Sequence, residues 1–284
     1  MKSVKIGIIG GQGLMGQFFK NMFEQDGIKV HISDLNTKLT NKELIKLSDV
    51  VIVAVPINNT LDVINEISGE LREDQLFMDI TSVKGEPVNA MIKSKASVIG
   101  MHPMFGPFIE SIGNQTIILT PARDNQGWME KIESYFAQKN VKIKITTPEE
   151  HDKVMSLIQV LVHFNTIAIG ETISRLGFDI KETLEYTSPI YRIELFMVGS
   201  ILAQSARLYG NIPIHNPHTL NIINEHKKTV EKISKLILTK DLEGFVEMFQ
   251  GASNYFDGYT KIALEEITYL TTKLGEYDIK NGKN

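Results

Sequence analysis

The chain has 284 residues, of which 42% are hydrophobic and 23% charged, with a net charge of −4 and no cysteine. That length suits two domains, the lack of a basic excess argues against a nucleic-acid partner, and the absence of thiols excludes disulfides, thiolate nucleophiles and cysteine-ligated metals, as fits a reducing cytosol. The apolar run at residues 6–9 is short and interrupted by Gly7, and no later run approaches the roughly eighteen consecutive apolar residues of a membrane span, so a soluble, untargeted, cytoplasmic protein is expected.

Up to about Ile145 the chain alternates short β-branched runs with helical stretches. Strands are predicted over residues 4–9, 29–33, 50–54, 76–79, 97–100, 116–119 and 141–145, with helices such as 13–25 and 58–67 between them. Several strands are apolar throughout, the pattern of a parallel sheet covered on both faces. The alternation predicts βαβ units with right-handed crossovers. At Thr147-Pro148 the pattern changes to that of a capped helix start. Apolar residues then recur at helical spacing at Val154, Leu157, Ile158, Leu161, Phe164 and Ala168. Further helices are predicted over 189–204, 217–238 and 242–274, the last broken near Gly251 or Gly258, with a frayed tail after residue 274. The expected fold class is therefore α/β: a doubly wound, mostly parallel sheet domain over residues 1–147 and an all-helical domain over 148–284. Apolar stripes of this kind suit a homodimer interface in the helical domain.

Gly11-Gln12-Gly13-Leu14-Met15-Gly16 follows the first strand and opens a helix, the setting in which G-x-G-x-x-G acquires meaning as a Rossmann-type dinucleotide loop. Gly11 suits the tight turn, Gly13 the approach of the pyrophosphate and Gly16 close helix–strand packing, with the anion on the helix N-terminus. Asp34 stands at the end of the second strand, where a carboxylate accepts from the ribose hydroxyls and repels a 2′-phosphate; no arginine follows it, and Lys38 is the nearest cation. NAD is the expected cofactor. Val55-Pro56 ends the third strand and admits two readings, a strand terminator or a contact beside the nucleotide.

Two further segments fall after strand ends, where ligands of open α/β sheets bind. Asp79-Ile80-Thr81-Ser82-Val83-Lys84-Gly85 follows the fourth strand and Gly100-Met101-His102-Pro103-Met104-Phe105-Gly106-Pro107 the fifth. His102 is the candidate base, because imidazole titrates near neutrality and can take a proton from an alcohol as hydride leaves its carbon. The flanking Pro103 and Pro107 stiffen the loop and would hold the ring in place; the alternative is a satisfied loop histidine. Ser82 is a candidate partner of His102 or of a substrate hydroxyl, or a helix N-cap, and Lys84 a cation for an anionic ligand.

Together GGQGLMG, ITSVKG, GMHPMFGP, EHDKVMSLIQVLVHF and TSPIYRIEL resemble the prephenate dehydrogenase family, in particular the dehydrogenase part of the bifunctional chorismate mutase–prephenate dehydrogenases. The resemblance runs from Lys5 to about Tyr259. It implies NAD-dependent oxidative decarboxylation of prephenate to 4-hydroxyphenylpyruvate in tyrosine biosynthesis. The hydroxyl loses its proton, hydride passes to the nicotinamide, and the ring carboxylate leaves as carbon dioxide. It also implies that His102 and Ser82 are catalytic, and that Lys84, Arg192 and His163 bind substrate. Arg192 would grip a carboxylate with two parallel hydrogen bonds in a cleft between the domains. A mutase domain and a separate amino-acid-sensing domain are not expected. Val162 stands where related bacterial proteins have arginine, which bears on substrate contacts and tyrosine feedback.

Without the resemblance, Arg192 reads as a surface salt bridge, for example to Glu194, and His163 as a histidine on an apolar helical face. His215, His218 and His226 invite a metal hypothesis, but no cysteine lies near and the first two fall in a Pro-rich connection, so solvated loop histidines are the reading there and no metal site is expected. Glu149, Glu150 and Asp152 suit the dipole of the helix they open and require no other role. Rival enzymes are an arogenate dehydrogenase, a β-hydroxyacid dehydrogenase or an imine reductase of the same architecture; the hydroxyacid enzymes use a lysine in the interdomain helix, where this chain has only Lys153, near the start. A dinucleotide-sensing protein without chemistry is opposed by the presence of Ser82, His102 and Arg192 together.

Overall fold

The computed structural model describes residues 3–280. The chain forms two compact units. One comprises the chain up to Ile158 together with Gly210–His218, and the other comprises Gln159–Tyr209 and the chain from Thr219 onward.

In the first unit, seven strands among the described residues form one sheet in the order β2-β1-β3-β4-β5-β6-β7. They are β1 (Lys5–Ile9), β2 (Lys29–Ser33), β3 (Val50–Val53), β4 (Leu76–Asp79), β5 (Ser97–Pro103), β6 (Thr116–Arg123) and β7 (Lys142–Ile145). All neighbours are parallel except β5 and β6. The chain moves to one side of β1 with β2 and to the other with β3, so the switch point of the sheet lies at the carboxyl ends of β1 and β3. Helices α1 (Leu14–Gln25), α2 (Asn41–Leu47), α3 (Ile57–Ile67), α4 (Gly85–Met91) and α5 (Trp128–Ala137) cover the two faces. The pleat sorts the central strands: Val50 and Ile52 pack with Phe19, Phe23 and Phe136 on one face, while Val51 and Val53 pack with Leu44, Ile64 and Met91 on the other. This is why those strands read as unbroken apolar runs.

By compactness the units divide after Ile158, eleven residues beyond the position 147 at which the sequence pattern changes. Helix α6 (Pro148–Met155) buries His151, Asp152 and Met155, and its packing on the first unit is polar as well as apolar. Asp152 accepts hydrogen bonds from the backbone amides of Lys84 and Gly85, both 2.8 Å. Residues 210–218 join the same unit through Ile212, which clusters with Ile57 and Val83, and through Asn216, whose side-chain amide donates to the Asp152 carbonyl at 2.8 Å.

The second unit is helical. A π-helical stretch (Ser156–Leu161) continues into α7 (Val162–Leu176), followed by α8 (Ile180–Leu184), α9 (Pro189–Leu202), α10 (Ala206–His215, whose C-terminal part belongs to the first unit), α11 (Thr219–Leu238), α12 (Leu242–Tyr255) and α13 (Tyr259–Lys280). The expected break in the last helix falls at Gly258, which has φ +76°, while Gly251 lies within α12. Helix α13 continues to Lys280 where a frayed tail was expected; residues 281–284 lie outside the described part. His215 ends α10 and is not a loop residue. Among the described residues no group of histidine and acidic side chains is arranged to hold a metal.

The stripe on which this helical region was recognised is turned outward. Val154, Leu157, Ile158 and Phe164 are exposed, and the buried positions of the same turns are His151, Asp152, Met155, Ser156 and Val160. The helix Pro148–Leu176 also contains an 18-residue window of mean hydropathy 1.4, long and apolar enough by composition to cross a membrane. The sequence criterion of consecutive apolar residues did not flag it.

Candidate active site

The carboxyl ends of β1 to β5 lie along one edge of the sheet, because those strands are mutually parallel. Four sequence segments meet there. The glycine loop follows β1, and its turn is made by Gly10, with φ +82°, one residue earlier than expected. At Gly16 a side chain would overlap the Gly10 carbonyl oxygen, and at Gly11 it would overlap Ile32 of β2. Helix α1 starts after Gly13 with no side chain capping it, so its N-terminal amides are presented by Leu14, Met15 and Gly16 at the mouth of a close-packed cradle. Gln12, Gly13 and Leu14 are exposed and Met15 is half-buried.

Asp34 follows β2 and accepts from the Gln12 amide at 2.9 Å and the Leu35 amide at 2.8 Å. It therefore holds the glycine loop against the end of β2 and presents a half-buried carboxylate beside it. Val55 lies against Gly10, whose missing side chain would meet it at 2.8 Å. Pro56 is the N-cap residue of α3. The cradle, the uncapped helix end and the acid after β2 together fit a dinucleotide.

His102 is the next-to-last residue of β5 and pairs with Ile118 of β6. It is a buried strand residue and not the loop histidine expected, because β6 runs antiparallel beside β5 and carries the strand through Gly100 to Pro103. Phe105, just beyond, meets Phe18 of α1 with ring centroids 5.8 Å apart and the planes tilted by 58°, which draws this segment toward the glycine loop.

His102 Nδ1 lies 2.8 Å from His151 Nε2, and His151 Nδ1 lies 2.8 Å from Asp152 Oδ1. Burial pushes the Asp152 carboxyl up, but the hydrogen bonds from His151, Gly85 and Lys84 outweigh it and hold the group below its ordinary value. Burial, with the nearby His151 and Lys84 adding to it, drives His102 well below the ordinary imidazole value. Burial lowers His151 as well, against the opposing pull of Asp152. Both rings are thus neutral at physiological pH.

Lys84 departs from its expected role as a cation for an anionic ligand. Its side chain has no exposure, its ammonium pairs with the equally buried Asp79, and it donates to the Met101 carbonyl at 3.0 Å. Gly100 leaves room for its stem, since a side chain there would come within 3.1 Å of Lys84 Cδ. Lys84 therefore braces the end of β4 to β5 next to His102, and burial lowers its pKa despite Asp79. Ser82 is half-buried in the β4–α4 turn and does not cap α4. Lys84 is the N-cap residue, and Asp152 supplies the carboxylate.

The remaining two candidates belong to the helical unit. His163 is half-buried on α7 and meets Tyr209 edge-on at 4.7 Å. Its Nδ1 is buried with no hydrogen-bond partner among the described residues, and burial lowers its pKa. Arg192, in the first turn of α9, engages Asp278 of α13 through both terminal guanidinium nitrogens; of the acids open to it as salt-bridge partners, this one and not Glu194 is met. The fork is thus already arranged to receive a carboxylate side-on.

His151 and Asp152 are the residues that sequence reasoning missed. Asp152 reads in the sequence as part of an acidic helix start, and His151, 49 residues from His102, carries no role there. A usable signal was present: positions 151–152, 155–156 and 159–160 repeat every four residues, and that stripe, not the more apolar one beside it, is the covered one.

The sheet, the glycine cradle and the buried imidazole at one edge define the nucleotide-binding unit of a dehydrogenase, followed by a helical unit. Residues 22–145 match the family described as "Prephenate dehydrogenase, nucleotide-binding domain" and residues 147–251 that described as "Prephenate dehydrogenase, dimerization domain". The T-protein of Haemophilus influenzae is 34% identical over 282 residues, covering 98% of this chain and 73% of that protein. A protein of Methanocaldococcus jannaschii named "Probable arogenate/prephenate dehydrogenase" is 36% identical over 278 residues, covering 91% of this chain and 62% of that one. A crystal structure of prephenate dehydrogenase from A. aeolicus, in complex with hydroxyphenyl propionate and NAD+, shares the fold with a TM-score of 0.70 at 18% identity, covering 93% of this chain and 98% of that one. The chain belongs to the prephenate dehydrogenase family.

Proposed function

We propose that this chain catalyses the NAD-dependent oxidative decarboxylation of prephenate, with His102 as the base, as a step of tyrosine biosynthesis in the cytoplasm. The observation that carries this reading is the buried imidazole of His102, held at the sheet edge that also bears the glycine cradle and Asp34. A base must be unprotonated to act, and burial keeps it so.

Bound NAD supplies the hydride acceptor. Leu14, Met15 and Gly16 would offer their amides to its pyrophosphate, and the Asp34 carboxylate its acceptor oxygens to the ribose hydroxyls. Asp34 also opposes a 2′-phosphate, which favours NAD over NADP. His102 takes the hydroxyl proton of the substrate at Nε2. When the ring carboxylate leaves as carbon dioxide, its bonding electrons return to the ring and the oxygen recovers a proton to become a phenol. Prephenate plus NAD+ gives 4-hydroxyphenylpyruvate, carbon dioxide and NADH with no net proton released. A buried base that lends and recovers its proton needs no path to solvent.

Arg192 is assigned to a substrate carboxylate, exchanging Asp278 for it, and Ser82 and His163 to further substrate contacts. His163 has a buried nitrogen to offer. Lys84 is left out of the substrate set for the reason given above. The helical unit supports a homodimer: Val160 and Val198 are its buried apolar side chains among the described residues, while Phe164, Ile169, Phe196, Met197 and Phe249 are exposed. A unit with so little core of its own is completed by a partner surface, and a second copy is the cover proposed for the apolar face of α7 in place of lipid.

Arogenate, the amino analogue, is the second reading, raised by the name of the 36%-identical relative, which carries both substrates. NADH formation from NAD with each substrate decides between them: a kcat/KM for prephenate at least about tenfold above that for arogenate supports the first reading, and the reverse ratio the second. No turnover of either compound contradicts both.

A further inference from the structure

We propose that His151 is a positioning residue that selects the tautomer of His102 and shares the positive charge it acquires, with Asp152 as the anchoring carboxylate. The inference rests on the reading of His102 as base and adds the device that makes it one.

The chain of contacts fixes the protons. Asp152 is ionised and can only accept, so His151 Nδ1, at 2.8 Å, must carry a proton. A neutral His151 then has its lone pair on Nε2. That nitrogen faces His102 Nδ1 at 2.8 Å, so His102 donates there, and the basic lone pair of His102 is on Nε2. The opposite tautomer would set two lone pairs against each other at hydrogen-bond distance. Asp152 is itself held from two sides, accepting from the Lys84 amide on one oxygen and the Gly85 amide on the other, both 2.8 Å. The rings meet at 65° with centroids 5.1 Å apart, an arrangement set by strand β5 on one side and helix α6 on the other.

The charged and titratable groups facing the pair are Lys84 and Asp79, which form their own buried ion pair, and Asp152. The Lys84 ammonium opposes a second positive charge nearby. The Asp152 carboxylate, relayed through His151, is the element that eases formation of the His102 imidazolium. Protonation at Nε2 strengthens the donation from Nδ1 to His151, and that strengthening is available only during the reaction.

The tautomer is read in the unmodified protein by 15N NMR of imidazole-labelled histidine. The expected result is His102 protonated at Nδ1 and not at Nε2; a His102 protonated at Nε2 overturns the proposal. Kinetics test the energetic part. His151→Phe keeps the ring volume and removes the acceptor. The expected outcome is a kcat lowered about tenfold or more, as a share of the roughly 10²–10⁴ that general-base catalysis supplies. The Michaelis constants should stay within about twofold, and the acid limb of the pH profile should move, because His102 has lost the acceptor that faces its Nδ1. His151→Gln, whose carbonyl accepts and whose amide donates, should recover most of kcat. In a His102→Asn background the His151→Phe change should cost almost nothing. An unaltered kcat and pH profile in His151→Phe, or an equal loss in the His102→Asn background, overturns the relay. Full turnover by His102→Asn alone would instead remove the base assignment itself, so the two failures are separable.

Discussion

Replacing Lys84 by methionine tests whether that residue braces the sheet edge or serves a ligand. Methionine keeps most of the stem volume, so the cavity term is small, and the loss is electrostatic. In the native protein Lys84 and Asp79 have no side-chain exposure. Without the ammonium, the buried Asp79 carboxylate retains only the Thr81 amide at 3.0 Å and the Thr81 hydroxyl on one oxygen, its other oxygen having no hydrogen-bond partner among the described residues. The Met101 carbonyl also loses its donor. Removing one partner of a buried pair costs about 3–5 kcal/mol, a large part of the roughly 5–15 kcal/mol that holds a domain folded. Removing the second charge as well, in Asp79→Asn/Lys84→Met, should return all but about 1–2 kcal/mol. Trp128 is the single tryptophan of the chain and is buried in α5 of the same unit, so its fluorescence during urea unfolding reports this unit directly. A Lys84→Met protein destabilised by less than about 1 kcal/mol, with only its Michaelis constant for substrate raised, would refute the bracing role and restore the cation to the ligand.

Three further outcomes follow from the site. Gly16→Val sets a side chain into the Gly10 carbonyl and should weaken NAD binding, measured calorimetrically, by about tenfold or more, equivalent to about 1.4 kcal/mol; an unchanged Kd contradicts the cradle. Arg192→Gln removes charge-assisted hydrogen bonds worth about 1.5–3 kcal/mol and should raise the substrate Michaelis constant about tenfold to a hundredfold while leaving that for NAD alone; no change in the substrate constant removes Arg192 from the site. The pKa values of His102, His151 and His163 are lowered by burial. Because the unfolded chain binds protons first, their contribution to stability is complete above about pH 6.5 and is lost as pH falls through the folded values. The Tm should therefore decline between about pH 7.5 and about pH 5, and a Tm that rises over that interval would contradict neutral burial of these rings.

The sheet was legible where local and tertiary preferences agree. Residues 29–33 and 76–79 are strands with the expected bounds, being short β-branched or apolar runs with turns on either side. The fifth strand was cut short at Gly100 because glycine and proline read as breakers. Only pairing with Thr116–Arg123, whose antiparallel direction no local signal announces, extends it through His102. Helix α8 is five residues long and depends on the cap that Asp179 provides to Lys181 and Glu182, and α10 tolerates Pro213 within it; neither has a periodicity long enough to detect. The glycine loop and Asp34 were readable because their chemistry is local to one βαβ unit. The partners of His102 were not, because they come from a helix whose first turn looks like ordinary dipole compensation. The outward apolar stripe of α7 shows the same limit: periodicity identifies a face to be covered but not what covers it. Lys84 was misassigned because a lysine in a ligand-edge turn reads as solvated, and full burial beside Asp79 depends on the space left by Gly100.

The most direct test of the account is the turnover of His102→Asn with saturating NAD and prephenate, followed by NADH absorbance and paired with a measurement of NAD affinity. The account predicts a fall in kcat of about 10²–10⁴ with the NAD Kd unchanged. Wild-type turnover in this variant would show that another group takes the proton and would contradict the mechanism proposed for this site.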